Sequence, residues 1–235
     1  MTNRFDRYLN VNNHSSIDLP YVSLFDPDKE SSYAIARDLI EAGAPGLILG
    51  LPFSDPCADT VAQTSASQRA LRSGATIEGA LELIARIRAV APKCPLALVT
   101  YLNPAVVYGF DHFTQKIAKA GIDALLLPDL PSSMRLQVPT FDEAAQSAQL
   151  ILGTYLTPQT SVETREKMKL KTRGFIVTRH SDGSQSLPFG VILTDEIVLF
   201  CEKNGQYCNH LRQKLIASLA RPSKVLTPAT VDLID

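Results

Sequence analysis

The sequence alternates short apolar segments with helix-like segments, and this alternation limits the chain to few folds. Six apolar segments are predicted to be strands, at 19–25, 46–51, 96–101, 122–127, 150–155 and 174–178. Strands that are apolar throughout are typical of a parallel sheet, because helices then cover both of its faces. The pattern therefore predicts an α/β fold.

The segments between the strands carry helix signals. Asp26-Pro27-Asp28 precedes a helix predicted at 30–42, and Gly43 ends it in the usual C-terminal glycine position. A helix that starts at Thr76 has apolar residues at helical spacing. Further helices are predicted at 62–72, 111–119, 141–148, 162–171, 195–203 and 207–219.

Two architectures fit these repeats. A doubly wound sheet that binds a dinucleotide needs a glycine-rich turn after its first strand, but Phe25-Asp26-Pro27 is not one. A (β/α)8 TIM barrel has its site at the carboxyl ends of the strands, where this chain has Asp26, Asp55, Asp59, Asn103, Asp129 and Arg179. We therefore predict an α/β (β/α)8 TIM barrel that forms a single domain over 1–235.

The two ends of the chain depart from the repeat. After residue 179 only one strand-like piece, 186–193, is found, so we expect the last two βα units to be truncated or irregular and 180–235 to be divergent. The polar segment 1–16 lacks the apolar core of a secretory signal, and no run of eighteen apolar residues occurs. We expect a soluble, cytoplasmic protein.

Charge and histidine spacing exclude several classes of partner. Lys plus Arg number 23 against 24 Asp plus Glu, a net charge of -1, so no positive excess attracts nucleic acid or an anionic membrane. No histidine is spaced with a second metal ligand, so no metal site is predicted. His180 is a loop histidine of a kind that is more often exposed than catalytic.

The loop after the second strand holds the densest set of polar residues. Pro52 and Pro56 force a loop that carries Ser54, Asp55 and Asp59. Acidic residues beyond a strand end are typical of a barrel active site. Ser-Asp-Pro is equally ordinary turn chemistry, so from spacing alone these aspartates also fit the role of turn or cap residues.

The stretch 49–59, Leu-Gly-Leu-Pro-Phe-Ser-Asp-Pro-Cys-Ala-Asp, resembles the signature loop of the tryptophan synthase alpha subunit family. The resemblance runs in register from about 19 to 179, through Asp26-Pro27, Tyr101-x-Asn103 and Pro128-Asp129-x-Pro131. It implies a barrel that cleaves indole-3-glycerol phosphate by a retro-aldol step and passes indole to a beta subunit. It also implies no cofactor in this chain and pyridoxal phosphate (PLP) in the beta subunit.

The resemblance assigns roles to individual residues. Asp59 matches the aspartate that accepts the indole N–H, whereas Ile48 stands where the family has its acid/base glutamate. An alkyl side chain transfers no proton, and losing such a group typically costs about 10² to 10⁴ in rate. The resemblance further implies substrate contacts by Tyr21, Tyr101 and Arg179.

Other departures concern the phosphate and the pocket mouth. Segment 188–191 answers to the family's first phosphate turn, but the best match to the second, 194–198, carries two carboxylates that would repel a phosphate. Phe25 replaces a glycine, and we expect its ring to narrow the pocket mouth. In the loop after the sixth strand, only Arg179 and a displaced glycine remain of the family's residues.

The residues implied to face the beta subunit are better kept: Pro52, Phe53, Asp55, Asn103, Asp129 and Pro131. We therefore predict an alpha chain impaired in cleavage, a pseudoenzyme that binds and activates the beta subunit in an alpha-beta-beta-alpha heterotetramer. Indole and indole-3-glycerol phosphate are its candidate ligands. Two alternatives stay open: a lyase with a different small substrate or with an acid/base relocated to Asp26, Asp59 or Asp129, and a barrel with no link to tryptophan.

Overall fold

The computed structural model describes residues 3–5, 7, 16–59, 61–156, 161–164, 175–178 and 190–193. The helices predicted at 195–203 and 207–219, and most of the one at 162–171, lie outside the described residues.

The described strands form one curved sheet. They are β1 Ser16–Asp18, β2 Tyr21–Ser23, β3 Leu47–Gly50, β4 Leu96–Val99, β5 Ala124–Leu126, β6 Ile151–Leu156, β7 Phe175–Thr178 and β8 Gly190–Leu193. Their order is β1-β8-β7-β6-β5-β4-β3-β2, and the strands from β2 to β7 are parallel neighbours. Only Leu19 and Pro20 separate β1 from β2, the two ends of this order, so the sheet curls round into the predicted (β/α)8 barrel.

Strand β8 departs from the regular barrel. It pairs antiparallel with β7 and with β1. A parallel neighbour needs a crossover connection of about a dozen residues or more, usually with a helix, and only residues 179–189 separate β7 from β8. The predicted strand at 186–193 is therefore present, but it runs in the opposite direction to the barrel strands.

Seven helices are described over their full length. They are α1 Lys29–Glu41, α2 Val61–Arg72, α3 Ile77–Val90, α4 Leu102–Val107, α5 Phe110–Ala120, α6 Ser132–Gln137 and α7 Thr140–Ser147. The bounds predicted for α1, α2, α5 and α7 are confirmed to within one residue. Helices α4 and α6 were not predicted, because six residues are too few to show a helical period.

Side-chain caps explain where helices α1 and α3 begin. The Asp28 carboxylate accepts a hydrogen bond from the Ser31 amide at the start of α1, at 2.8 Å. The Thr76 hydroxyl accepts one from the Gly79 amide at the start of α3, at 3.0 Å. Each cap satisfies an amide that the helix itself leaves without an acceptor.

Side chains alternate between the two faces of the barrel strands. Val22, Leu49, Leu98 and Leu125 belong to the cluster that packs against the helices. The alternate positions Tyr21, Ile48, Ala97, Ala124 and Ile151 lie in register from β2 to β6, and all are buried. Because side chains alternate along a strand, this second set faces the barrel interior.

A buried charge cluster ties the structure together at the amino ends of the strands. Arg88 of α3 donates to the Gly121 carbonyl at 2.7 and 2.9 Å and to the Asp123 carboxylate at 2.8 Å. Asp123 also accepts from the Leu96 amide at 3.0 Å and from Arg4 at 2.7 Å. The Arg88 and Asp123 side chains are only 12% and 4% exposed, so the pair is shielded from water.

Replacing Arg88 by methionine is expected to lower the free energy of unfolding by about 3–5 kcal/mol, because it removes the cation paired with the buried Asp123 carboxylate and a donor to the Gly121 and Cys94 carbonyl oxygens. Arg86→Met is the matched control, since Arg86 makes a two-bond pair with Glu30 between exposed side chains. Exposed pairs contribute little. Urea denaturation of both variants should separate them clearly, and equal midpoints would contradict a stabilising role for the buried cluster.

Candidate functional site

The loops after three neighbouring strands meet at the carboxyl end of the barrel. Residues 51–59 follow β3, Tyr101 lies just beyond β4, and Asp129 lies just beyond β5. Parallel neighbours end at the same edge of a sheet, which is where barrel enzymes carry their sites.

Tyr101 is the centre of this group. Its side chain is buried, and its hydroxyl accepts a hydrogen bond from the Ala58 amide at 3.0 Å and donates one to the Asp59 carboxylate at 2.7 Å. Its ring lies 5.3 Å, centroid to centroid, from the ring of Phe53. Tyr101 therefore contacts the beginning and the end of the loop after β3. Burial and the hydrogen bond to Asp59 raise the pKa of Tyr101 well above its usual value.

Asp129 fixes the backbone next to Tyr101. Its two carboxylate oxygens accept from the Leu102 amide at 2.8 and 3.0 Å. Helix α4 begins at Leu102, and Tyr101, the residue before it, makes no side-chain cap. Asp129 therefore supplies the acceptor for the first turn of α4.

Ile48 lies inside the barrel, as the alternation along β3 requires. It is fully buried and lies in register between Tyr21 of β2 and Ala97 of β4. Two residues further along β3, a Cβ at Gly50 would overlap the Tyr21 hydroxyl, so this phenol extends over Gly50. The described side chains at this level, from β2 to β6, are alkyl groups and a phenol, and the β3 position among them carries no titratable group.

Phe25 does not narrow the pocket mouth, and that prediction is wrong. Its ring is buried against α3, where a Cβ added to Gly79 would lie 2.8 Å from the ring, and the Lys29 ammonium lies 5.8 Å from the ring centre. The backbone of Phe25 has a φ of +66°, and hydroxyls of Ser32 and Ser73 bind its N–H and its carbonyl. This left-handed conformation suits the glycine that Phe25 replaces, and here the side chain packs with the helices.

Asp26 is engaged in an ion pair. Its carboxylate is 5% exposed and accepts two bonds from Arg69 of α2, at 2.7 and 2.9 Å. With Asp129 bound to Leu102 and Asp59 to Tyr101, all three carboxylates suggested as a relocated acid/base already serve the structure.

The predicted partner-facing residues lie at the same end of the barrel. Asp55, Asn103 and Pro131 are exposed, while Pro52, Phe53 and Asp129 are half-buried. The structure adds exposed apolar residues that the sequence reasoning missed: Val106 and Val107 of α4, and Met134 and Val138 near α6. The helical period that would have separated exposed from buried valines is absent from such short helices.

Part of the predicted pocket lies outside the described residues, namely Arg179, His180 and the second phosphate segment at 194–198. Of the first phosphate segment, Gly190 and Val191 belong to β8 and pair with β7, so this half is extended strand and not a turn.

The part of the chain that the structure describes contains no group of three or more histidine, cysteine or acidic residues able to hold a metal ion. None of its helices is long and apolar enough to cross a membrane.

Comparison with known proteins gives a consistent result. The family model described as "Tryptophan synthase alpha chain" matches residues 9–187. The tryptophan synthase alpha chain of Corynebacterium glutamicum (strain R) is 40% identical over 166 residues, which cover 70% of this chain and 58% of that protein. The chain thus spans less than two thirds of the length of the first curated relatives that it matches.

Solved structures share the fold. Tryptophan synthase subunit alpha from Legionella pneumophila str. Paris has a TM-score of 0.70 at 25% identity, covering 94% of this chain and 75% of that one. A Pyrococcus furiosus structure has a TM-score of 0.65 at 29% identity, covering 71% and 67% of the two chains. Its description concerns "mutual activation of the tryptophan synthase a2b2 complex".

The raised pKa of Tyr101 predicts a pH dependence of stability. An unfolded tyrosine ionises at about pH 10, whereas folded Tyr101 keeps its proton to higher pH. Below pH 10 the stabilisation is fully present, and it should be lost as the pH rises above about 10. Tyr101→Phe and Asp59→Asn should both show a smaller loss of unfolding free energy between pH 9 and 11 in urea titrations. A loss as steep in Tyr101→Phe as in the unmodified protein would contradict this origin.

Proposed function

This chain belongs to the tryptophan synthase alpha chain family, and from that premise we propose that it serves tryptophan biosynthesis as a binding partner and activator of the beta subunit. In this role the chain does not itself cleave indole-3-glycerol phosphate at an appreciable rate. Tryptophan is made at the beta subunit from indole and L-serine.

The fully buried Ile48 is the observation that carries the proposal. It lies inside the barrel between Tyr21 and Ala97, where no alkyl group can give or take a proton. Two of the three carboxylates suggested as a relocated acid/base are already engaged, because Asp26 is paired with Arg69 and Asp129 with the Leu102 amide. Asp59 alone retains the position of the indole N–H acceptor.

The face at the carboxyl end of the barrel supports a binding role. Its loop after β3 is held in place by Tyr101, and exposed Val106 and Val107 lie beside the exposed Asn103. Single exposed apolar residues are normal on a soluble protein, but several on the short helices that follow two neighbouring strands are typical of a contact surface. We infer that this face, defined by residues 52–55, 103–107 and 131–138, binds the beta subunit.

Activation by binding needs no chemistry in this chain. If the carboxyl-end face binds the active conformation of the beta subunit better than the inactive one, the population of the active conformation rises. The alpha chain then carries no cofactor, and the PLP belongs to the beta subunit. The a2b2 complex described for the Pyrococcus furiosus relative supports an alpha-beta-beta-alpha assembly for this chain as well.

Titrating the beta subunit with this chain tests the proposal, with tryptophan formation from indole and serine as the readout. The unmodified chain should raise the rate to a plateau. Val107→Asp, which places a charge on a side chain 79% exposed on α4, should require at least about tenfold more protein for half-maximal activation.

Val90→Asp is the matched control for this titration. Val90 is 51% exposed at the end of α3, beside the charge cluster at the opposite end of the barrel. It should activate as the unmodified chain does. No activation by the unmodified chain would overturn the proposal, and equal impairment of both variants would show that the face has been misplaced.

A further inference from the structure

The Asp129 carboxylate binds a backbone amide of its own chain. Its side chain is half-buried, and both of its carboxylate oxygens accept the same donor, the Leu102 amide, at 2.8 and 3.0 Å. The sequence places Asp129 in the surface that faces a partner, but the hydrogen bonds show that its charge is directed at the neighbouring loop. A carboxylate bound to a backbone N–H in this way makes a charge-assisted bond, stronger than a bond between neutral groups.

The backbone on both sides of Tyr101 is bonded to the β5 segment. The Thr100 amide donates to the Leu126 carbonyl at 3.1 Å, and the Leu102 amide donates to Asp129. Tyr101 lies between these two donors, so its φ and ψ are fixed from both ends. The direction in which the phenol leaves the backbone is fixed with them.

Because the phenol of Tyr101 is fixed in direction, its hydrogen bonds also fix the end of the loop after β3. The Tyr101 hydroxyl binds the Ala58 amide at 3.0 Å and the Asp59 carboxylate at 2.7 Å. Asp129 is therefore linked to Asp59 in three steps: the hydrogen bond from the Leu102 amide, the peptide bond between Leu102 and Tyr101, and the hydrogen bond from the Tyr101 hydroxyl.

We propose that Asp129 is a positioning residue that acts through Leu102 and Tyr101 to hold Asp59 and the end of the β3 loop in the arrangement the carboxyl-end face requires. The inference deepens the proposed function and rests on it for its consequence at the beta subunit. The linkage itself lies within one chain and is tested there.

Amide hydrogen exchange of the isolated full chain, followed by NMR, tests the linkage. Asp129→Ala should speed exchange of the Ala58 amide about tenfold, because Tyr101 loses one of its two fixed flanks. Asp129→Asn keeps an acceptor oxygen without the charge and should give a smaller increase. Ala58 exchange equal to that of the unmodified chain in both variants would overturn the proposal; should the alanine variant not fold, the asparagine variant decides alone.

Asp28→Ala is the matched control. Asp28 also accepts a backbone amide at a helix start, that of Ser31 at 2.8 Å, but the amide that it binds belongs to α1 and not to α4. This variant should speed exchange only at the start of α1. If it speeds Ala58 as much as Asp129→Ala does, the effect is general loosening and the proposal fails.

A double variant distinguishes a path through Tyr101 from a merely structural role. In the Tyr101→Phe background the phenol no longer binds Ala58, so adding Asp129→Ala should change Ala58 exchange no further. A full additional increase would show that Asp129 acts by another route.

The consequence for function is measured separately. Asp129→Ala should require about tenfold more chain for half-maximal activation of the beta subunit, and Asp28→Ala should not differ from the unmodified chain. If the unmodified chain does not activate, the proposed function fails while the exchange result still decides the linkage. Normal activation by an Asp129→Ala chain whose Ala58 amide exchanges faster would overturn the claim that the face requires this positioning.

Discussion

Tyr101 and the amide that follows it join the segments after three strands, and the carboxyl-end face depends on the Tyr101 hydroxyl. It accepts from Ala58 and donates to Asp59, while the amide of the next residue binds Asp129. Because the Tyr101 ring is buried, these bonds are partly shielded from water and keep more of their strength than they would at the surface. Loop 51–59 thus takes its shape from a side chain of the neighbouring strand segment.

At each end of β4 and β5, an aspartate carboxylate next to β5 accepts a hydrogen bond from a backbone amide next to β4. Asp123, just before β5, accepts the Leu96 amide where β4 begins, and Asp129, just after β5, accepts the Leu102 amide beyond the end of β4. The first carboxylate belongs to a buried cluster with Arg88, which serves stability. The second carboxylate binds the residue after Tyr101, and Tyr101 in turn holds the loop after β3. Neither set of hydrogen bonds involves Ile48, so both are independent of the residue at that position.

The sequence predicted what local patterns determine and missed what depends on distant contacts. The bounds of α1 and α5 follow from Asp28 and from Gly121, whose left-handed backbone ends α5. The direction of the Phe25 ring and the pairing of Asp26 with Arg69 depend on residues 43 or more positions away, which no local pattern reveals. The reversal of β8 follows from the short connection before it. The register confirms that Ile48 faces the interior, and its consequence for catalysis remains a prediction.

Release of indole from indole-3-glycerol phosphate, measured with the unmodified chain in the presence of the beta subunit, tests the central claim most directly. With an alkyl side chain at residue 48, and with Asp26, Asp59 and Asp129 engaged in the structure, release should lie about 10² to 10⁴ below that of an alpha chain with the glutamate. A rate equal to that of such an alpha chain would contradict the claim and would mean that another group supplies the proton.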